Sequence, residues 1–108
     1  MITREQLSEM SDFDINQEVA VLRGLNYVIE QEDKPSAYLW LEESMVEIDF
    51  CNNPNDIMPI IIENKISLEF RDHKSLAPIA KRFGSNSHNI VNDNVLRAAC
   101  EVYILMNQ

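Results

Sequence analysis

His73 and His88 are the only histidines in the 108-residue chain, and neither stands at a spacing from another reactive group that would build a site by itself. No glycine-rich phosphate loop, nucleophile elbow or paired-histidine metal spacing occurs. One enzymatic reading stays open. His88, between Asn86 and Asn89 in the polar segment Gly84 to Asn89, can act as a general base if folding brings an Asp or Glu to it, because such sites are assembled in space and not in sequence. The same segment reads equally as an exposed polar turn. Cys51 and Cys100 lack the closely spaced Cys or His neighbours of a metal site, and in a reducing cytosol they read as small apolar fillers on buried segments. No cofactor is expected.

Two further groups are candidates for recognition. Alternation places Glu47 and Asp49 on the outward face of one strand and Glu69 outward on a later one, so the three can form an acidic strip on a solvated sheet face. A divalent-ion site there finds no support in calcium-loop spacing, and a plain solvated face explains the charges as well. Trp40, the only tryptophan, alternates with Tyr38 against Leu39 and Leu41. Either Tyr38 and Trp40 face outward as a partner-binding patch, or they are the core side.

The charge balance narrows the partners. With 18 acidic and 9 basic residues the chain carries a net charge of −9, which repels a polyanion. No basic stripe compensates, since Lys81-Arg82 is the densest positive spot, so direct nucleic-acid binding is not expected. An acidic surface instead suits a basic partner, or mimicry of nucleic acid on a DNA- or RNA-binding protein.

These residues need elements to position them. At this length, with 45% hydrophobic residues, one domain over residues 1–108 with one core is expected. Ser11 caps a helix that runs through Ile15, Val19 and Leu22 and closes at Arg23-Gly24, with the residues before Met10 as a lead-in or an extra turn. Leu25 to Ile29 reads as a strand, and Tyr38–Glu42 and Met45–Phe50 read as an antiparallel hairpin with Val46, Ile48 and Phe50 inward. Asn53, Pro54 and Asp56 open a helix to about Asn64, kinked by Pro59, whose apolar residues Ile57 to Ile62 suggest burial on more than one side. Ile66, Leu68 and Phe70 alternate inward on the next strand. A turn is expected at Asp72 to Leu76. Ala77 to Phe83 is an edge strand or a short helix.

Asp93-Asn94 caps a last helix, Val95 to Met106. In it Arg97 and Glu101 share one face and Leu96, Ala99, Cys100 and Tyr103 the opposite one. Its apolar surface is wide enough that it is either sandwiched inside the fold or half of a homodimer interface. The pattern predicts an α+β fold: a mainly antiparallel sheet of three to five strands with about three helices packed on one face.

Three blocks carry a resemblance. Asp49 to Leu68, with Cys51-Asn52-Asn53-Pro54, Asp56, Pro59-Ile60-Ile61, Glu63-Asn64 and Ile66-Ser67, resembles the NinX family of phage proteins. So do Met10-Ser11-Asp12-Phe13-Asp14-Ile15-Asn16 and Asn94-Val95-Leu96-Arg97-Ala98-Ala99. The chain has Val95 where the family usually has proline, and no Trp after the Ile66-Ser67 strand. The resemblance implies a temperate-phage or prophage origin and an intracellular setting, without a mechanism. No basic-then-apolar leader or apolar run of bilayer length is present, so a soluble protein in the host cytoplasm is expected, with no membrane association. Taken with the charge and the missing reactive constellation, the expected function is a non-catalytic module that binds a host or phage protein.

Overall fold

The computed structural model describes residues 1–25, 27–28, 39–41, 46–70, 76–82 and 88–108. Its elements run α1 (Arg4–Glu9), α2 (Asp12–Leu22), β1 (Tyr27–Val28), β2 (Leu39–Leu41), β3 (Val46–Ile48), α3 (Pro54–Asn64), β4 (Ile66–Glu69), β5 (Ile79–Arg82), β6 (Asn89–Val91) and α4 (Val95–Asn107). The fold is α+β, as expected, and every strand pairing among the described residues is antiparallel. The strands divide between two three-stranded sheets, β1-β2-β3 and β4-β5-β6, in place of one.

Helix ends follow from local chemistry. Ser11 Oγ accepts from the Asp14 N–H to start α2, and Arg23 ends it beside Gly24 at φ +70°, a left-handed conformation that glycine adopts without a Cβ clash. Asn53 accepts from the Asn55 N–H to start α3, with Pro54 at the first helical position, where its missing N–H costs nothing. Pro59 sits inside α3, and the carbonyl it leaves without an intrahelical donor belongs to exposed Asn55. The lead-in is a helix of its own, α1, opened by a capping box between Thr3 and Gln6.

Helix α4 is the centre. It packs against α1, α2 and α3 and against all three strands of the second sheet. Ala98, Ala99, Cys100, Glu101, Val102, Tyr103 and Ile104 are consecutive and all buried, so the helix takes the sandwiched alternative. Leu96, Leu105 and Met106, nearer its ends, are partly buried.

Other expectations change at the surface. In α3 the buried set is Ile57, Ile60 and Ile61, one face at helical spacing, while Ile62 is 70% exposed. On β4, Ile66 is buried and Leu68 half-buried, but the strand ends at Glu69 and Phe70 is exposed. β5 is the middle strand of its sheet and not an edge; Pro78 is tolerated because it stands just before the strand and offers only its carbonyl, which accepts from the Asn92 N–H. Asn89, read in sequence as the end of a polar loop, instead opens the strand Asn89-Ile90-Val91, which pairs with β5. Among the described residues, no helix is long and apolar enough to cross a membrane.

Candidate functional site

The turn between β3 and α3, Asp49 to Asn53, is where three helix starts converge. Asp49 follows β3, and its carbonyl accepts from the N–H groups of Asn52 and Asn53, which folds the chain into the tight turn that precedes α3. From α2, wholly buried Asn16 reaches in: its Oδ1 accepts from the Cys51 N–H at 3.0 Å and its Nδ2 donates to Asp49 Oδ1 at 2.9 Å. From α3, Asp56 Oδ2 accepts from the Asp49 N–H at 2.8 Å. From α4, the capping residue Asn94 donates to the Cys51 carbonyl at 2.8 Å and to Asn52 Oδ1 at 3.1 Å, while its own Oδ1 accepts from the N–H groups of Leu96 and Arg97. Asn52 Nδ2 in turn donates to both Asp49 carboxylate oxygens and to Asp12.

Behind this turn lies an ion cluster that sequence spacing only half disclosed. Arg97 pairs with Asp12 at 2.6 Å and with Glu101 at 3.3 Å, and its second terminal nitrogen donates to the carbonyls of Leu7 and Met10 at the end of α1. A cation there satisfies orphan carbonyls and opposes the negative end of that helix. Glu101 is only 2% exposed. Burial pushes its carboxyl up from the usual range, against the opposing pull of Arg97. Burial also works against the charge on Arg97, but the hydrogen bond to Asp12 and the charge of Glu101 outweigh it and the guanidinium is raised.

On the outer side of the turn is a cleft of about 360 Å³ lined by Glu47, Ile48, Asp49, Asn52, Asn53 and Asp56. Its walls are carboxylates, amides and one half-buried aliphatic side chain. Asp49 and Asp56 are occupied in holding the turn, whereas Glu47 is exposed at its rim. Carboxylates and amide oxygens at this density accept hydrogen bonds from a guanidinium or ammonium group.

The residues singled out in sequence are only partly brought together. Glu47 and Asp49 share the cleft, but Asp49 is a half-buried member of the network and not a free outward charge. Glu69 does not extend their strip: it stands on the other sheet and pairs with Lys81 at 2.7 Å. Trp40 is paired in register with Glu47, and Leu39 with Ile48. Tyr38 and Asn86 lie outside the described residues, as do His73 and the turn expected around it. His88 is half-buried just before β6, its carbonyl accepting from the Arg82 N–H, on the other sheet from the cleft. Among the described residues no group of three or more His, Cys, Asp or Glu is arranged to hold a metal ion. Asn16, Asn52, Asn94 and Asp56 were legible only as caps or helix residues. The signal for their joint role was the density of Asn and Asp at three helix starts.

A family model described as bacteriophage P22, NinX matches residues 6–107 of the chain. No curated protein and no solved structure matches it.

Proposed function

The chain belongs to the bacteriophage P22 NinX family, and from that premise we propose that it is a non-catalytic accessory protein of the host cytoplasm that docks a basic segment of a host or phage protein in the cleft at Glu47, Asp49 and Asp56. The observation that carries this reading is the composition of the cleft: three carboxylates and two amides from the end of β3, the turn after it and the first turn of α3, with no cationic side chain among the described lining residues. A net charge of −9 adds a long-range field of the same sign, which speeds encounter with a basic partner. The turn is preorganised by hydrogen bonds from α2, α3 and α4, so docking needs little ordering of this chain.

The experiment is capture from phage-infected host lysate on immobilised wild-type protein and on Glu47→Lys, in a salt series. A partner of basic surface retained by wild type, lost on Glu47→Lys and released well before 1 M salt, where the Debye length is about 3 Å, supports the cleft. A partner held equally by both proteins places docking elsewhere. Tight binding of bare DNA by the purified protein, or turnover of a nucleotide or small molecule that is lost on His88→Ala, overturns the reading.

A further inference from the structure

Helix α1 is too short to hold itself together. Its six residues make fewer than two turns, and the first turn of any helix is unfavourable by itself, so the order of α1 comes from what it touches. Leu7 is the one buried residue it contributes, with no solvent exposure. The polar holds come from α4 and its cap: Gln108 accepts from the Ile2 N–H at 2.8 Å and donates to the Ile2 carbonyl at 2.7 Å, just ahead of the helix. At the other end Arg97 donates to the carbonyls of Leu7 and Met10 at 2.9 and 2.6 Å.

The Arg97 hold continues to the cleft. Arg97 donates to Asp12 Oδ1 at 2.6 Å, and the other oxygen of that carboxylate accepts from Asn52 Nδ2 at 3.3 Å. The same nitrogen donates to Asp49 Oδ1 at 3.2 Å and to Asp49 Oδ2 at 3.1 Å, and Asn52 and Asp49 both line the cleft. An amide nitrogen carries two hydrogens, and here three carboxylate oxygens on two residues draw on them. None of the three contacts is short, so the amide is divided between Asp12 and Asp49.

We propose that α1 is a strap whose seating is coupled to occupancy of the cleft through Asn52, Asp12 and Arg97; the ligand rests on the docking function proposed above, while the polar path from Asn52 to α1 does not. A guanidinium that docks on Asp49 brings donors of its own and relieves the demand of that carboxylate on Asn52. The amide then turns to Asp12. Held at both oxygens, Asp12 keeps Arg97 in the geometry that reaches the α1 carbonyls, and the strap tightens. Seated and released α1 are the two states that such coupling needs. Linkage makes the effect reciprocal, so a seated α1 raises affinity in the cleft by the factor with which docking stabilises α1. Whatever displaces α1 therefore weakens docking without touching the cleft.

The test follows amide hydrogen exchange of the full chain by NMR, with and without a saturating arginine-rich peptide. Without peptide, Asn52→Ala should speed exchange severalfold at Leu7 and Met10, whose N–H groups bond to the carbonyls of Thr3 and Leu7, while the amides of β5 keep their rates. With peptide, the Leu7 and Met10 amides should slow about fivefold in wild type and not in Asn52→Ala. Leu7→Ala, which loosens α1 from outside the cleft, should weaken peptide binding severalfold. Unchanged exchange at Leu7 and Met10 in Asn52→Ala overturns the coupling, and so does a bound peptide that leaves the wild-type rates unchanged. A peptide that fails to bind wild type removes the docking function, and the peptide-free comparison still decides the path. If Asn52→Ala speeds exchange in β5 as well, the whole chain has loosened, and Asn52→Ser, too short to span both carboxylates, takes its place.

Discussion

Asn16 donates to the Asp49 carboxylate at 2.9 Å from a position with no solvent exposure, and the same amide accepts from the Cys51 N–H at 3.0 Å. One side chain on α2 thus fixes both the direction of an acid that lines the cleft and the backbone of the turn that carries it. Asn16→Leu fills similar space but leaves the Cys51 N–H buried without its acceptor, at a cost of about 1–3 kcal/mol. Asn16→Asp should be worse at neutral pH, because it sets a second carboxylate against Asp49. That charge raises the new group's folded pKa, so the variant should be most stable in acid and lose stability as pH rises. Urea denaturation of both variants at pH 4 and pH 7 checks the order.

Arg97 holds together elements far apart in sequence: the end of α1, the start of α2 and Glu101 within α4. Arg97→Met leaves Glu101 buried without its partner and should cost about 3–5 kcal/mol. The double variant Arg97→Met/Glu101→Leu removes both charges, so it should recover part of that loss although Asp12 and the α1 carbonyls stay unpaired. Chemical denaturation of the two variants provides the comparison, and a double variant less stable than the single one would show that Glu101 is not the group left stranded.

Glu101 also predicts a pH dependence. Its folded pKa is raised above the ordinary value of 4.5, so the folded state binds this proton more tightly than the unfolded one. Stability from this group is therefore greatest below pH 4.5 and is lost as pH rises from there through the raised folded value. In Glu101→Gln the proton is gone from the balance. The stability of wild type relative to Glu101→Gln should fall as pH is raised from 4 toward neutrality, read by denaturant midpoints at matched ionic strength.

Much of this was legible in local chemistry. Ser11, Asn53-Pro54 and Asn94 each mark a helix start because capping is a contact between neighbours in sequence. The same rule, applied to Thr3 and Gln6, would have found α1. What sequence did not disclose was long-range. Arg97 and Glu101 four residues apart look like a solvated helical pair, and only the arrival of α1 and α2 turns them into a buried cluster. Phe70 and Ile62 fit an inward pattern, but each lies where its element leaves the core, Phe70 just past the end of β4 and Ile62 on the outer side of α3. The described strands divide into two sheets, of which the second packs against α4, and alternation along single strands does not encode which strands share a sheet.

Lys65 ends α3 in the left-handed region at φ 55°, exposed, with its N–H bonded back to the carbonyls of Ile61 and Ile62. A side chain with a Cβ is strained there, and glycine is the residue that most often fills such a position. Lys65→Gly should stabilise the protein by up to about 1 kcal/mol, since the relief of strain exceeds the added freedom of the unfolded chain. A rise in melting temperature is expected, and Lys65→Val, β-branched at the same φ, should lower it.

Glu47 and Asp56 both line the cleft, yet the structure gives them different work. Asp56 accepts from the Asp49 N–H at 2.8 Å and sits in the first turn of α3, where its charge faces the positive end of the helix. Asp56→Ala should therefore cost about 1–3 kcal/mol by leaving that N–H unpaired, and should weaken docking indirectly by loosening the turn. Glu47 is exposed on β3, so Glu47→Gln should stay within about 0.5 kcal/mol of wild type, as surface substitutions away from special contacts do. If the cleft receives a basic partner, Glu47→Gln should lower affinity at unchanged melting temperature, whereas Asp56→Ala should lower both together. Paired melting curves and titrations with an arginine-rich peptide separate recognition from scaffolding. A Glu47→Gln protein that binds the peptide as wild type does, with the same salt dependence, would remove Glu47 from the recognition surface.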